Sequence, residues 1–540
     1  MKLSDLVALV IEKHGHHNYT GRMLREPNET KEQWIQRQEL LADTPISEKV
    51  WKQLDRTGNN PSNYIRNIVN REKRSPSPPS PGPSVPETSH PGSSLQTPSD
   101  PSGLSVQTSP IISTFSLPVT EENPPHICLD LTEGVKGVMI PSEATELVWR
   151  TNLGNEVKTC APCLIAEGKN ILQKDEDHLR NLAEKFGLTE ATTENLIFFS
   201  PDMDLNTLLH NIRFHVANNH VVVVTKGLKE KKQENVQFDK RKLQRFLEED
   251  SVLEERPVQA HSMFLKSDYI DAPEEPQNTT IGAFINQFND KSDAQFILDV
   301  PIAQAVGIPS KYIRLDDLAS AVTNTARSQK VLVDKAWGLL HQANTFTCCH
   351  HDCDGKATII WPVTGAKLWS FFFPSRSLSA TDVHQVQREL CENKLGLPAS
   401  EKGHFETIFI SDGDLVIQPP GIVHQVFTPV PSYFKGSSFW TFDSLHLTRF
   451  SRELDQLYGE STTNVDHADE LTLGSLVCMA LALPMRTDLI LYKRPMVALY
   501  DMIVNREQFM SKTYIELTAR KENWDIKDLH ESGSGQTHDL

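Results

Sequence analysis

Two histidines and an aspartate define the chemistry this sequence can carry: His350 and Asp352 in the run CCHHDCDG, and His424 in GDLVIQPPGIVHQV. Residues at i and i+2 of a strand project to the same face, so His350 and Asp352 can aim at one metal while His351 points away. His424, entering a later strand after the PPG turn, is the candidate third ligand. Two imidazoles and one carboxylate on one side of a metal leave the other side open, and this facial triad is the usual ligand set of non-haem Fe(II) oxygenases. The open side would take a bidentate 2-oxo acid and dioxygen. The distal carboxylate of that acid needs a buried cation and a hydroxyl, because an unpaired charge in a closed interior is costly. Lys367, in GAKLW, is the candidate cation. Thr347 is the candidate hydroxyl, although three residues before His350 it falls on the opposite face of a regular strand, so a bulge has to bring it round.

Other readings of the same residues stay open at this level. CCHHDCDG is polar enough for a surface turn, and Cys348, Cys349, Cys353, His350 and His351 are crowded enough to trap zinc, though structural zinc sites favour separated C-x2–4-C pairs. Asp354 is an alternative carboxylate farther along the strand. Cys160 and Cys163 form a lone CxxC in TCAPC, which without a second half is weak evidence for zinc or redox chemistry. His341, His404 and His446 read as ordinary core or surface histidines.

The elements that must position these residues are short β-like runs between about 330 and 445: KVLV, ATIIWPV, KLWSFFF, TIFI, DLVIQ, HQVFTPV and SSFWTF, separated by Gly, Pro, Asp and Ser turns. That rhythm predicts a β-sandwich or open barrel. Before it, residues 126–274 mix strand-like LIFFS (196–200) and VVVVT (221–225) with helical runs at 178–186 and 240–247, an α+β lead-in. After Leu447 helical periodicity returns at 449–457, 471–483 and 496–506, closing a helical region at 447–510 ahead of a polar tail at 511–540. At the start, residues 1–74 read as a helical module. Residues 75–125 hold 13 of the 33 prolines and almost no aromatic residue, so this segment cannot offset its ordering entropy and is expected to be a disordered linker. No internal repeat is visible.

The elements T-x-x-H-x-D, then G-x-K-x-W, then GD-x-x-x-x-PPG-x-x-H resemble the Jumonji C (JmjC) family, and WGLLHQANTFTCCHHDCDGKAT is most similar to the branch met in fungal genomes. The likeness spans roughly 275–446, and its spaced elements are specific only as a set. The resemblance implies an α+β fold built on a double-stranded β-helix of the cupin or jelly-roll kind, with Fe(II) on His350, Asp352 and His424. It also implies that 2-oxoglutarate is bonded by Lys367 together with Thr347, that Trp337 and Trp369 pack in the wall or beneath the site, and that the helices after 447 brace the barrel or form a homodimer surface. The implied activity is a dioxygenase that hydroxylates or demethylates a protein side chain, histone or otherwise. Cys349, where related sequences often carry an aromatic or proline, leaves the pocket shape open.

Composition narrows the alternatives. The chain has 540 residues, 38% hydrophobic and 23% charged, with a net charge of −17 from 54 basic and 71 acidic residues, which argues against a surface built to neutralise phosphates. An oxygenase acting on nucleic acid or a small molecule, and a catalytically silent JmjC-like scaffold, are the alternative functions. The stretch Lys226 to Arg245 is the best local basic patch, but its acidic residues are interleaved and a solvated helix face is the favoured explanation. No apolar run is long enough to cross a bilayer, no secretory leader is evident, and eight dispersed or adjacent cysteines form no disulfide framework. An intracellular setting, nuclear or cytoplasmic, is therefore expected, with NREKRSPSP at 70–78 a poor nuclear signal.

Overall fold

A computed structural model describes residues 127–132, 144–249, 252–266, 276–288, 294–302, 308–319, 321, 336–393, 396–463, 467–483 and 492–511. The helical module at 1–74, the linker at 75–125, the KVLV run and the tail beyond 511 lie outside the described residues. Within them the chain is an α+β fold with a nine-stranded and a four-stranded sheet, two smaller sheets and several helices.

Eight strands carry the candidate site: β1 Ala336–His341, β2 Thr345–His350, β3 Ala357–Thr364, β4 Ala366–Pro374, β5 Gly403–Ser411, β6 Leu415–Gln418, β7 His424–Thr428 and β8 Ser432–Phe439. The four-stranded sheet has the order β2-β7-β4-β5. The nine-stranded sheet contains the contiguous order β6-β3-β8-β1, extended beyond β6 by Val221–Val224 and Leu196–Phe199 and beyond β1 by Gln295–Pro301, Pro257–Ser262 and Gln277–Thr280. Strands from either side of residue 275 thus share one sheet.

Most of these strands are apolar on both faces, which is what burial on both sides demands. In β4, Trp369, Phe371 and Phe373 join Ile408, Ile410 and Val426 of their own sheet and Val223, Leu339, Ile360, Val416 and Phe434 of the larger one in a single core cluster, so the two sheets pack face to face. The alternate residues Ala366, Leu368 and Phe372 face away, toward a second core that includes Leu179 and Leu182 of α1 (Gln173–Lys185). On its outer face the larger sheet buries Val222, Ile359 and Ile417 against Leu208, Leu209, Ile212 and Val216 of α2 (Leu205–Ala217), whose Asp204 caps the helix by accepting from the Thr207 amide.

The predicted runs ATIIWPV, KLWSFFF, TIFI and DLVIQ coincide with β3 to β6, HQVFTPV overruns β7 by two residues, and SSFWTF overlaps β8 only at 437–439 before the chain turns at Phe442. The sequence reading does not name β1 or α2, nor α3, Ala380–Asn393, between β4 and β5. Its buried residues His384, Val386, Gln387, Leu390 and Cys391 keep a helical period, but two of them are polar, which blurs the apolar stripe. The C-terminal helices α4 (Leu445–Tyr458), α5 (Asp469–Ala482) and α6 (Lys493–Val504) bury Leu476, Met479, Leu499 and Met502 on Trp440, Phe442 and Leu445, directly after β8.

Candidate metal centre

The site begins with an irregularity in β2. Thr345, Phe346 and Thr347 pair with Thr428, Phe427 and Val426 of β7, yet the next pair is His350 with His424. Three steps on β2 match two on β7, so β2 carries one extra residue, the signature of a β-bulge. The bulge reverses the alternation and puts Thr347 and His350 on one face, the face of Val426 between the sheets. Asp352 follows the strand in extended geometry (φ −68°, ψ 129°). A tight turn then begins, with Asp354 at φ +64° and Gly355 at φ +65°. A Cβ on Gly355 would stand 2.6 Å from the Thr448 carbonyl oxygen, so glycine is required both for the left-handed backbone and for the approach of α4.

Ligand atoms of His350, Asp352 and His424 lie within 4.8 Å of one another, and all three residues are buried or half-buried. The His350 Nδ1–H donates to the Cys348 carbonyl at 2.8 Å, and the His424 Nδ1–H donates to the Ile422 carbonyl at 3.2 Å. Because a carbonyl can only accept, these bonds select the Nδ1–H tautomer and leave both Nε2 lone pairs free. The Thr358 hydroxyl on β3 donates to Asp352 Oδ2 at 2.5 Å, which orients the carboxylate and leaves Oδ1 available. Trp369 stacks on His424 with centroids 5.6 Å apart, and the two imidazoles lie 4.3 Å apart. Burial and the neighbouring His424 push the His350 pKa down to about 3, and burial lowers that of His424. Both rings are therefore neutral bases at physiological pH, the state a metal requires.

Lys367 is fully buried on β4, and its Nζ has no hydrogen-bond partner; the Phe434 ring lies 5.1 Å away. Burial drives its pKa well below the usual lysine value. An unpaired ammonium here is costly unless an anion joins it, so the position suits a carboxylate. Registers of the smaller sheet place side chains in rows across its inner face. His350, His424 and Phe371 form one row, and Thr347, Val426 and Trp369 the next. Thr345 and Thr428 form the third, beside Lys367. Thr347 thus sits between the metal row and the lysine row, while the hydroxyls nearest Lys367 in register belong to Thr345 and Thr428. Both of these reach His341 Nδ1 at 3.3 Å. His341 is a buried core histidine, as the sequence reading allows, and its Nε2 has no hydrogen-bond partner.

Other candidates are directed elsewhere. His351 is fully buried away from the triad, with Nε2 3.1 Å from the Thr462 hydroxyl and 3.2 Å from Asp455 Oδ1. Asp354 belongs to a separate group with Asp455 and His467. Neither potential metal group among the described residues contains a cysteine. Cys349 faces the outer core and donates to Gln425 Oε1 at 3.5 Å, Cys160 and Cys163 are buried, and no disulfide forms among the described cysteines. The Cys353 side chain lies outside the described residues. His404 pairs with Glu406, and His446 is half-buried with its pKa lowered by desolvation.

Sequence reasoning passed over Thr358 and Gln418. They are direct partners across β3 and β6, and Gln418 is 1% exposed with neither carboxamide atom hydrogen-bonded. A glutamine between Ile417 and Pro419 in an apolar strand was the available signal. No helix among the described residues is long and apolar enough to cross a membrane. No family model matches the chain, and no curated protein matches it.

Proposed function

We propose that this chain is an Fe(II)- and 2-oxoglutarate-dependent oxygenase of the Jumonji C type that oxidises a side chain of a protein substrate. The observation that carries the reading is the convergence of His350, Asp352 and His424 from two strands and a turn, with both imidazoles in the Nδ1–H tautomer. The donor set, two nitrogens and one carboxylate oxygen, fits ferrous iron with open positions. Lys367, a buried amine with no partner, fits the distal carboxylate of the oxo acid. The orders β6-β3-β8-β1 and β2-β7-β4-β5, with the chain passing between sheets after β1, β2, β3, β5, β6 and β7, support a double-stranded β-helix as the frame.

Bound iron would supply reductive activation of dioxygen, one oxygen atom entering a substrate C–H bond as C–OH and the other ending in succinate as 2-oxoglutarate loses CO2. The chain's own residues do the positioning. Thr358 fixes the Asp352 carboxylate, the Cys348 and Ile422 carbonyls fix the two rings, and Trp369 and Phe371 shield His424 from water. Lys367, with Thr345, Thr347 and Thr428 along the same face, would orient the co-substrate. If the carbon oxidised is an N-methyl group, the N–CH2OH product collapses to N–H and formaldehyde, and the outcome is demethylation. A histone is one protein substrate among those this chemistry allows, and the C-terminal helices are the surface proposed for self-association.

The test is succinate formation from 2-oxoglutarate with added Fe(II). Wild type is expected to turn over, and His350→Ala or Asp352→Ala to fall by about 100-fold or more, since losing even a residue that supports a ligand costs 10–100-fold. Equal turnover in wild type and variants would remove the reading.

A further inference from the structure

Gln418 ends β6 four residues before the Ile422 carbonyl that fixes His424, and it pairs directly with Thr358, whose hydroxyl holds Asp352. Paired side chains on neighbouring antiparallel strands stand about 5 Å apart at Cβ. Val416, two residues before Gln418, belongs to the core between the sheets, so the carboxamide projects from that same face, beside the metal ligands. It is almost completely buried, yet Oε1 accepts nothing and Nε2 donates to nothing. A buried amide left in this state is destabilising, because the water it gave up is not replaced. On the opposite sheet Trp369, whose ring stacks on His424, has an unpartnered indole N–H.

Charge on this face narrows what could satisfy that carboxamide. Asp352 is committed to the metal. Glu406 takes hydrogen bonds from Thr193 and Asn195 and pairs with His404, and Asp414 is held by Thr225, Lys231 and the Ser411 amide. No other carboxylate lies on the inward faces of β1 to β8, so these described strands present no free anion to pair with an ammonium. A carboxylate ligand would engage Nε2 and leave Oε1 unpaired, whereas a group presenting one donor and one acceptor satisfies both atoms.

We propose that Gln418 is a substrate-positioning residue and that the substrate it reads carries a neutral amide, paired donor to acceptor with the Gln418 carboxamide, so that the reaction is hydroxylation beside an amide rather than removal of a methyl group from a cationic lysine. The inference rests on the oxygenase reading above. It keeps the same oxygen balance: C–H becomes C–OH, with 2-oxoglutarate and dioxygen as co-reactants.

The experiment uses the full chain and two peptide libraries of randomised flanking sequence, one with central asparagine or glutamine and one with central trimethyllysine, analysed by mass spectrometry. Wild type is expected to add one oxygen atom to members of the amide library and to leave trimethyllysine unchanged. Gln418→Leu, and separately Gln418→Glu, which keeps the shape and removes the donor, are expected to lose that product at least tenfold. Both variants should still bind Mn(II) with N-oxalylglycine within about twofold of wild type, which a merely structural role for Gln418 would not preserve. Demethylation of the lysine library, amide oxidation that survives in Gln418→Leu, or loss of Mn(II) and N-oxalylglycine binding in both variants would overturn the proposal. So would wild type that oxidises neither library while still converting 2-oxoglutarate to succinate, and in that case the oxygenase reading stands. Absence of His350-dependent succinate formation would instead remove the oxygenase reading itself.

Discussion

Two groups of histidine and aspartate flank the turn at 351–355, and their surroundings give them opposite electrostatics. His350, Asp352 and His424 face the space between the sheets with no cationic side chain paired to them, and burial holds the imidazoles neutral. Asp354, Asp455 and His467 face the C-terminal helices, where Asp354 pairs with Lys356 and lies 3.9 Å from Arg452, itself bonded to Asp469 at 3.0 Å. There the carboxylates, although opposed by burial, raise His467 to about 9. Three acidic groups meet Lys356, Arg452 and a protonated His467, and the charges cancel. The same residue types therefore make a candidate ligand set where cations are withheld and an ion-pair clamp where they are supplied.

The largest effect that can break this comparison is expected at Arg452. Arg452→Met should leave buried carboxylates uncompensated and destabilise the fold by about 3–5 kcal/mol, read as a lower denaturant midpoint; a change within 0.5 kcal/mol would show that the second group is not a clamp.

Lys367→Met should do the reverse. Removing a buried, unpaired amine is expected to stabilise the ligand-free protein by about 1–3 kcal/mol while weakening N-oxalylglycine binding roughly 10–100-fold, as loss of a hydrogen bond to charge would. Lower stability with unaltered binding would assign Lys367 to packing.

Smaller again is Thr358→Val, which removes the hydroxyl that orients Asp352. Mn(II) affinity is expected to fall about tenfold with the melting temperature little changed, and unchanged affinity would mean that Asp352 needs no such support.

The pH dependence sharpens the contrast. His467 has a folded pKa raised to about 9 from 6.5, so its stabilising contribution is full below pH 6.5 and is lost as pH rises through 9. His350 is lowered to about 3, so in metal-free protein its contribution is full above pH 6.5 and is lost as pH falls toward 3. Each limb has a limiting slope of about 1.4 kcal/mol per pH unit for one proton. His467→Gln should flatten only the alkaline limb and His350→Ala only the acidic one. If either variant moved the wrong limb, the assignment of charge to the two groups would be incorrect.

What the sequence revealed follows the same division. The triad was legible because ligand types recur at strand spacing before a glycine turn, and β3 to β8 were legible because apolar runs end at Gly, Pro and Asp. The bulge that brings Thr347 onto the face of His350 could be required but not located, since an extra residue in β2 becomes visible only against its partner β7. Asp354 looked like a spare ligand because its role depends on Asp455, Arg452 and His467, about a hundred residues away in the chain. Thr345, Thr428 and Gln418 were missed for a related reason. A polar residue in an apolar strand acquires meaning only from the register that sets its neighbours.

Titration of Mn(II) into metal-free protein, recorded by electron paramagnetic resonance with wild type, Asp352→Ala, His424→Ala and Asp455→Asn side by side, decides between the two groups. Wild type and Asp455→Asn are expected to bind one equivalent that responds to N-oxalylglycine, and the two triad variants none. Retention of that equivalent in Asp352→Ala and His424→Ala, with its loss in Asp455→Asn, would place the metal in the other group and contradict the account.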